Sequence, residues 1–232
     1  MTRFRIFLPS LPLVTLAIAA AALLVAALPP GVATLLQFDR AGFLAHGAIW
    51  PLFTSHLVHF GQNHLAWDVF ALLVLGTMAE RRSRFATVLT LSLAAPLIVL
   101  TVWIAQPQFI TYRGLSGLDA ALFALVATGI LRDGLVCRPR HPFSVALGAL
   151  ALAGLIAKCS YEIFSGATLF VHTSSFAGTA HAFVPVPLAH LAGGVIGAMV
   201  GFFRDTHRCP VPVPAGTRSS APPSPAPPSH GF

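Results

Sequence analysis

Residues 85–105 read FATVLTLSLAAPLIVLTVWIA, an apolar run with no charged residue. A bilayer core of about 30 Å takes about 20 such residues as helix, so this stretch by itself predicts a membrane span. Five further segments on either side repeat the pattern less purely: Leu11–Leu28, His64–Ala79, Leu115–Leu131, Phe143–Ala157 and Leu188–Phe203. Arg3, Arg5 and the closing Ala-Ala-Leu-Pro-Pro give the first segment the look of a signal peptide, but its length and the five runs behind it favour a retained helix. The composition agrees: over 232 residues it is 56% hydrophobic and 9% charged, with mean hydropathy +0.79. A water-soluble surface needs about 25% charged residues. The expectation is an all-α membrane protein, with one six-helix bundle over residues 1–208.

A net charge of +7 in a soluble chain would suggest nucleic acid as partner. Here the cations lie between apolar runs, so the lipid bilayer is the expected partner and nucleic acid is not. Eleven cations (Arg3, Arg5, Arg81, Arg82, Arg84, Arg132, Arg138, Arg140, Arg204, Arg208, Arg218) fall on alternate connections, against Arg40, Arg113 and Lys158 on the others. That asymmetry predicts both termini in the cytoplasm. Residues 209–232 are rich in Pro, Ser and Ala and are expected to form a disordered cytoplasmic tail. Of the two long outward connections, 29–63 carries Phe38, Phe43, Trp50, Leu52 and Phe53 and suits the interface, while 160–187 has no such reading. Cys137, Cys159 and Cys209 are widely spaced without a Cys-x-x-Cys pair, so neither a zinc site nor a disulfide framework is indicated.

Strongly polar groups inside spans are costly and mark function by default. Ser116 lies in Tyr112-Arg113-Gly114-Leu115-Ser116-Gly117 at the outward end of the fourth span, and His190 lies near the outward end of the sixth. The two therefore share one depth. Gly117, Ala120 and Ala124 follow Ser116 as a stripe of small residues, and Gly193 and Gly197 follow His190 at i+3 and i+7. Such faces let helix backbones approach closely in lipid, as a serine and an imidazole need if they are to share a hydrogen bond. The plainer alternative is that these glycines only pack helices and His190 bonds a neighbouring carbonyl. A further group, His56, His59, His64 and Asp68, sits at the outward start of the second span, with His64 and Asp68 one turn apart. Three histidines and a carboxylate could hold zinc. The lack of His-Glu-x-x-His, and a serine and histidine that a metal site would leave unused, weigh against it. No metal or other cofactor is expected.

Together these residues resemble the rhomboid family of intramembrane serine proteases. The matching positions are Trp50, Phe53 and Thr54; His59 and His64; Gly76 and Glu80; Gly114-x-Ser116-Gly117; and His190-x-x-Gly193-x-x-x-Gly197. The resemblance implies a nucleophilic Ser116 with His190 as its base and no third acid. It also implies an oxyanion site made by the Ser116 N–H and His64, supported by Asp68 and Gly114. Gly117, Gly193 and Gly197 would pack helices, and Gly76 and Glu80 would be structural. The implied substrates are transmembrane segments of membrane-anchored proteins, cut at the outward side of the inner membrane. The Tyr-Arg-Gly-Leu-Ser-Gly run is similar to the rhombosortase branch, linked to exported proteins with Gly-Gly-containing C-terminal anchors.

Three departures stand out. Asp68 replaces an Asn, Ala120 replaces a Tyr that packs on the histidine, and Pro51 replaces an Arg. His190 must therefore be oriented by some other group. Asp68 has three readings: it orients His64, it donates as a neutral acid, or it bonds the connection at His56 or His59. The competing function is an inactive rhomboid-like protein that binds transmembrane helices; retention of both Ser116 and His190 argues for the enzyme. A transporter is disfavoured because there is no internal repeat and no ionisable pathway continuing inward.

Overall fold

The computed structural model describes residues 11–137, 140–165 and 186–203; the expected tail lies outside them. Six principal helices coincide with the six apolar segments: α1 (Leu13–Ala26), α5 (Gln62–Arg82), α6 (Arg84–Ala105), α7 (Ser116–Val136), α8 (Pro142–Ser165) and α9 (Pro187–Phe203). Helices α6 and α8 are each long and apolar enough to cross a membrane. Between α1 and α5 the chain folds into α2 (Pro30–Leu36), β1 (Phe38–Asp39), α3 (Arg40–His46), α4 (Pro51–Thr54) and a 3₁₀ turn at Ser55–Leu57. Strand β1 pairs antiparallel with β2 (Thr111–Tyr112), Phe38 opposite Tyr112.

Helix α7 is the centre of the bundle, touching α5, α6, α8 and α9. Its composition explains this position: Gly117, Ala120, Ala121, Ala124 and Ala127 present little bulk, and all are buried. The outer helices turn Phe85, Phe143, Leu150 and Phe164 outward, an apolar exterior of the kind a bilayer covers.

Helix ends are closed by specific partners. Pro12 gives α1 no side-chain cap, and the Glu80 carboxylate takes its place, accepting from the Val14 N–H (3.2 Å), the Thr15 N–H (3.0 Å) and the Thr15 hydroxyl (3.1 Å). Gly76, one turn earlier, abuts the same threonine; a Cβ there would stand 2.6 Å from Thr15 Oγ1. Asp39 caps α3 through the Gly42 N–H at 2.7 Å, and Ser83 caps α6 through the Ala86 N–H at 3.1 Å. Arg40 ties the α1–α5 connection to the end of α6 and the segment after it, donating to the carbonyls of Trp103 (2.6 Å) and Phe109 (3.2 Å). Trp50 Nε1 and Thr54 Oγ1 fasten α4 to the Leu35 and Leu36 carbonyls of α2.

Two sequence expectations need correction. Helix α8 does not stop at Ala157 but runs two turns further to Ser165, so Lys158 and Glu162 are helical instead of lying in a connection. No glycine or proline interrupts residues 155–165, and nothing there forces an end. Cys137 is disulfide-bonded, which the wide cysteine spacing did not indicate.

Candidate active site

The approach to Ser116 is a strap held from three sides. Gly114 adopts φ +117°, a conformation open to glycine, and its Cα faces the His64 ring so closely that a Cβ would stand 2.9 Å from Cε1. Its N–H donates to the Ser55 carbonyl at 3.2 Å, and its own carbonyl meets His56 Nδ1 at 3.2 Å. The other His56 nitrogen faces the Ala95 carbonyl at 3.0 Å. Two acceptors would favour the imidazolium, but burial dominates and pushes the His56 pKa down. The third restraint is Asp68, whose Oδ2 accepts the Leu115 N–H at 2.9 Å.

Asp68 is the hub of this corner. Its Oδ2 also lies 3.2 Å from His64 Nε2 and 3.3 Å from His59 Nε2, while His59 Nδ1 lies 3.2 Å from the Leu57 carbonyl. The Leu115 N–H can only donate, so this oxygen is an acceptor. The same oxygen stands within ion-pair distance of both His64 and His59, so one carboxylate faces the strap, the second span and the connection together. His56 does not join it; that ring binds Gly114 and Ala95 instead. Arg113 stacks over the Phe60 ring at 4.3 Å.

Ser116 begins α7 and is partly exposed. Leu115, at the N-cap, has no side-chain acceptor to offer, so no N-cap side chain takes up the first amides of α7, which carry the positive end of the helix dipole. His190 lies in the first turn of α9. The two helices meet backbone to backbone: a Cβ on Gly193 would overlap the Gly117 carbonyl, and one on Gly197 would overlap the Ala121 carbonyl. Gly117 in turn faces the Ala189 carbonyl, the residue before His190, at 3.3 Å from an added Cβ. On α9 the contacting residues are Gly193 and Gly197. On α7 the contacted register is Gly117 and Ala121, a step of four, instead of Gly117, Ala120 and Ala124.

Ser116 and His190 are thus brought onto touching helix ends, but the imidazole bonds elsewhere. His190 Nδ1 lies 3.0 Å from Glu162 Oε2 and 3.2 Å from Lys158 Nζ, and Lys158 Nζ lies 2.8 Å from both Glu162 oxygens. Glu162 is 1% exposed. Sequence reading missed this carboxylate because it ended the fifth span too early; Lys158 and Glu162 at i, i+4 were the available signal. Glu162 touches the histidine from a different helix.

A family model described as Rhomboid domain matches residues 46–205. The match takes in α4 through α9 and every candidate site residue. No curated protein matches the chain.

Proposed function

Since the chain belongs to the rhomboid family of intramembrane proteases, we propose that it is an active serine endopeptidase in which Ser116 is the nucleophile and His190 its general base. The observation that supports this most is the close contact of α7 with α9, which sets Ser116 and His190 at adjoining helix ends. In this reading six helices span the inner membrane, both termini lie in the cytoplasm, and the site opens outward. With Nδ1 facing Glu162, Nε2 is the nitrogen available to the Ser116 hydroxyl. Hydrogen bonds of this kind often close only when substrate is bound.

The Ser116 oxygen adds to the peptide carbonyl carbon as its proton moves to Nε2. The oxyanion is met by the uncapped Ser116 N–H, with His64 above Gly114 as the neighbouring side chain. One such donor contributes about 3 kcal/mol to the transition state. The proton then passes to the leaving amine, and water releases the acyl group by the same steps in reverse. Substrates are transmembrane segments of membrane-anchored proteins; the Tyr-Arg-Gly-Leu-Ser-Gly run favours C-terminal anchors of exported proteins.

The test is cleavage of an anchored model substrate in proteoliposomes. Ser116→Ala, His190→Ala and the double variant should be equally inactive, since nucleophile and base act as a unit. Wild-type turnover by Ser116→Ala would refute the mechanism and return the inactive, helix-binding reading to first place.

A further inference from the structure

We propose that Glu162 is the positioning residue for His190, making a Ser116–His190–Glu162 series with Lys158 as its anchor; this rests on the dyad reading above. Glu162 Oε2 lies 3.0 Å from His190 Nδ1, a hydrogen-bond distance, and comes from a different helix, so the contact is tertiary and not a consequence of local helix geometry. A neutral imidazole carries one N–H. A carboxylate has only acceptor oxygens and holds that proton on Nδ1, leaving the Nε2 lone pair to act as base.

Lys158 could act in the opposite sense. Its Nζ lies 3.2 Å from the same Nδ1, and donation there would put the proton on Nε2 and silence the base. Two shorter contacts, 2.8 Å to each Glu162 oxygen, direct the ammonium to the carboxylate instead. Lys158 thereby fixes Glu162 and balances its charge in a buried setting. Cys159, a buried thiol beside Lys158, and Tyr161, beside Glu162, are titratable neighbours on the same helix.

The substitution Glu162→Gln separates orientation from packing. Lys158 would donate to the amide oxygen, turning the NH₂ toward Nδ1 and selecting the wrong tautomer. The expected result is a kcat lower by up to about 10⁴-fold, the loss seen when a triad carboxylate becomes an amide. KM should stay within about threefold, because no substrate contact changes. Glu162→Asp should recover part of the loss, and Lys158→Met, which removes the anchor but keeps the carboxylate, should lower kcat by less than Glu162→Gln does. Each variant is measured as full chain in proteoliposomes, beside labelling of Ser116 by a fluorophosphonate probe and thermal unfolding. Wild-type kcat in Glu162→Gln, with Ser116 still labelled and Ser116→Ala still inactive, would overturn the Glu162 assignment alone. Equal kcat losses in Glu162→Gln and Lys158→Met, matched by equal losses of melting temperature, would also overturn it by reducing the pair to a structural ion bridge. Labelling away from Ser116 would instead sink the dyad.

Discussion

Asp68→Ala perturbs the strap and the histidines together. The change removes one acceptor oxygen that serves the Leu115 N–H at 2.9 Å, His64 at 3.2 Å and His59 at 3.3 Å. A buried amide left without an acceptor costs about 1–3 kcal/mol, and charge-assisted bonds add to this without being additive. The expected loss of stability is about 2–5 kcal/mol, the scale seen when one member of a buried charged set is removed. Leu115 precedes Ser116, so slack in the strap moves the nucleophile; a displacement of about 1 Å can cost about 100-fold in rate. Asp68→Asn retains an oxygen for Leu115 and should fall only about tenfold, near the 1.4 kcal/mol that corresponds to that factor. His64→Ala should cost less stability than Asp68→Ala, because it leaves the Leu115 bond intact, and should add little to it in a double-mutant cycle. The assay is turnover of an anchored substrate in proteoliposomes, with thermal unfolding at matched protein levels. Wild-type melting and turnover in Asp68→Ala would refute both the restraint and the orienting role.

Gly197→Ala should destabilise by about 1–3 kcal/mol or more, because the added methyl meets the Ala121 backbone carbonyl, which cannot step aside as a side chain could; an unchanged melting temperature would contradict the close α7–α9 contact. His56 has a lowered pKa in the fold, so its contribution to stability is present above the ordinary histidine value of 6.5 and declines as pH falls below it toward the lowered value. Wild type should therefore lose more melting temperature between pH 7 and pH 5 than His56→Gln; equal losses would show that His56 is not the group. For topology, Gly42→Cys and Ser220→Cys in a cysteine-free background should label from outside and from inside respectively, and outside labelling of Ser220→Cys would reverse the orientation.

The six helices were legible because apolar runs bounded by arginines leave a chain few alternatives. Ser116, His190 and the α9 glycines stood out as candidates because polar and small residues are conspicuous in apolar surroundings. Glu162 was not: a hydropathy reading ends a helix where charge begins, whereas Lys158 and Glu162 neutralise each other along the helix and let it continue. The α7 register was misjudged for a related reason. Alanines at 120, 121 and 124 are interchangeable in sequence, and only the partner backbone selects Ala121. Likewise, the one-turn spacing of His64 and Asp68 showed their pairing, but the hold on Leu115 spans 47 residues and has no local signature.

Fluorophosphonate trapping of the protein in native membranes, followed by mapping of the modified residue, reads the nucleophile itself. A Ser116–His190 dyad gives a single adduct on Ser116 that is lost in His190→Ala, whereas cleavage of substrate with Ser116 unmodified and replaceable by alanine would contradict the dyad.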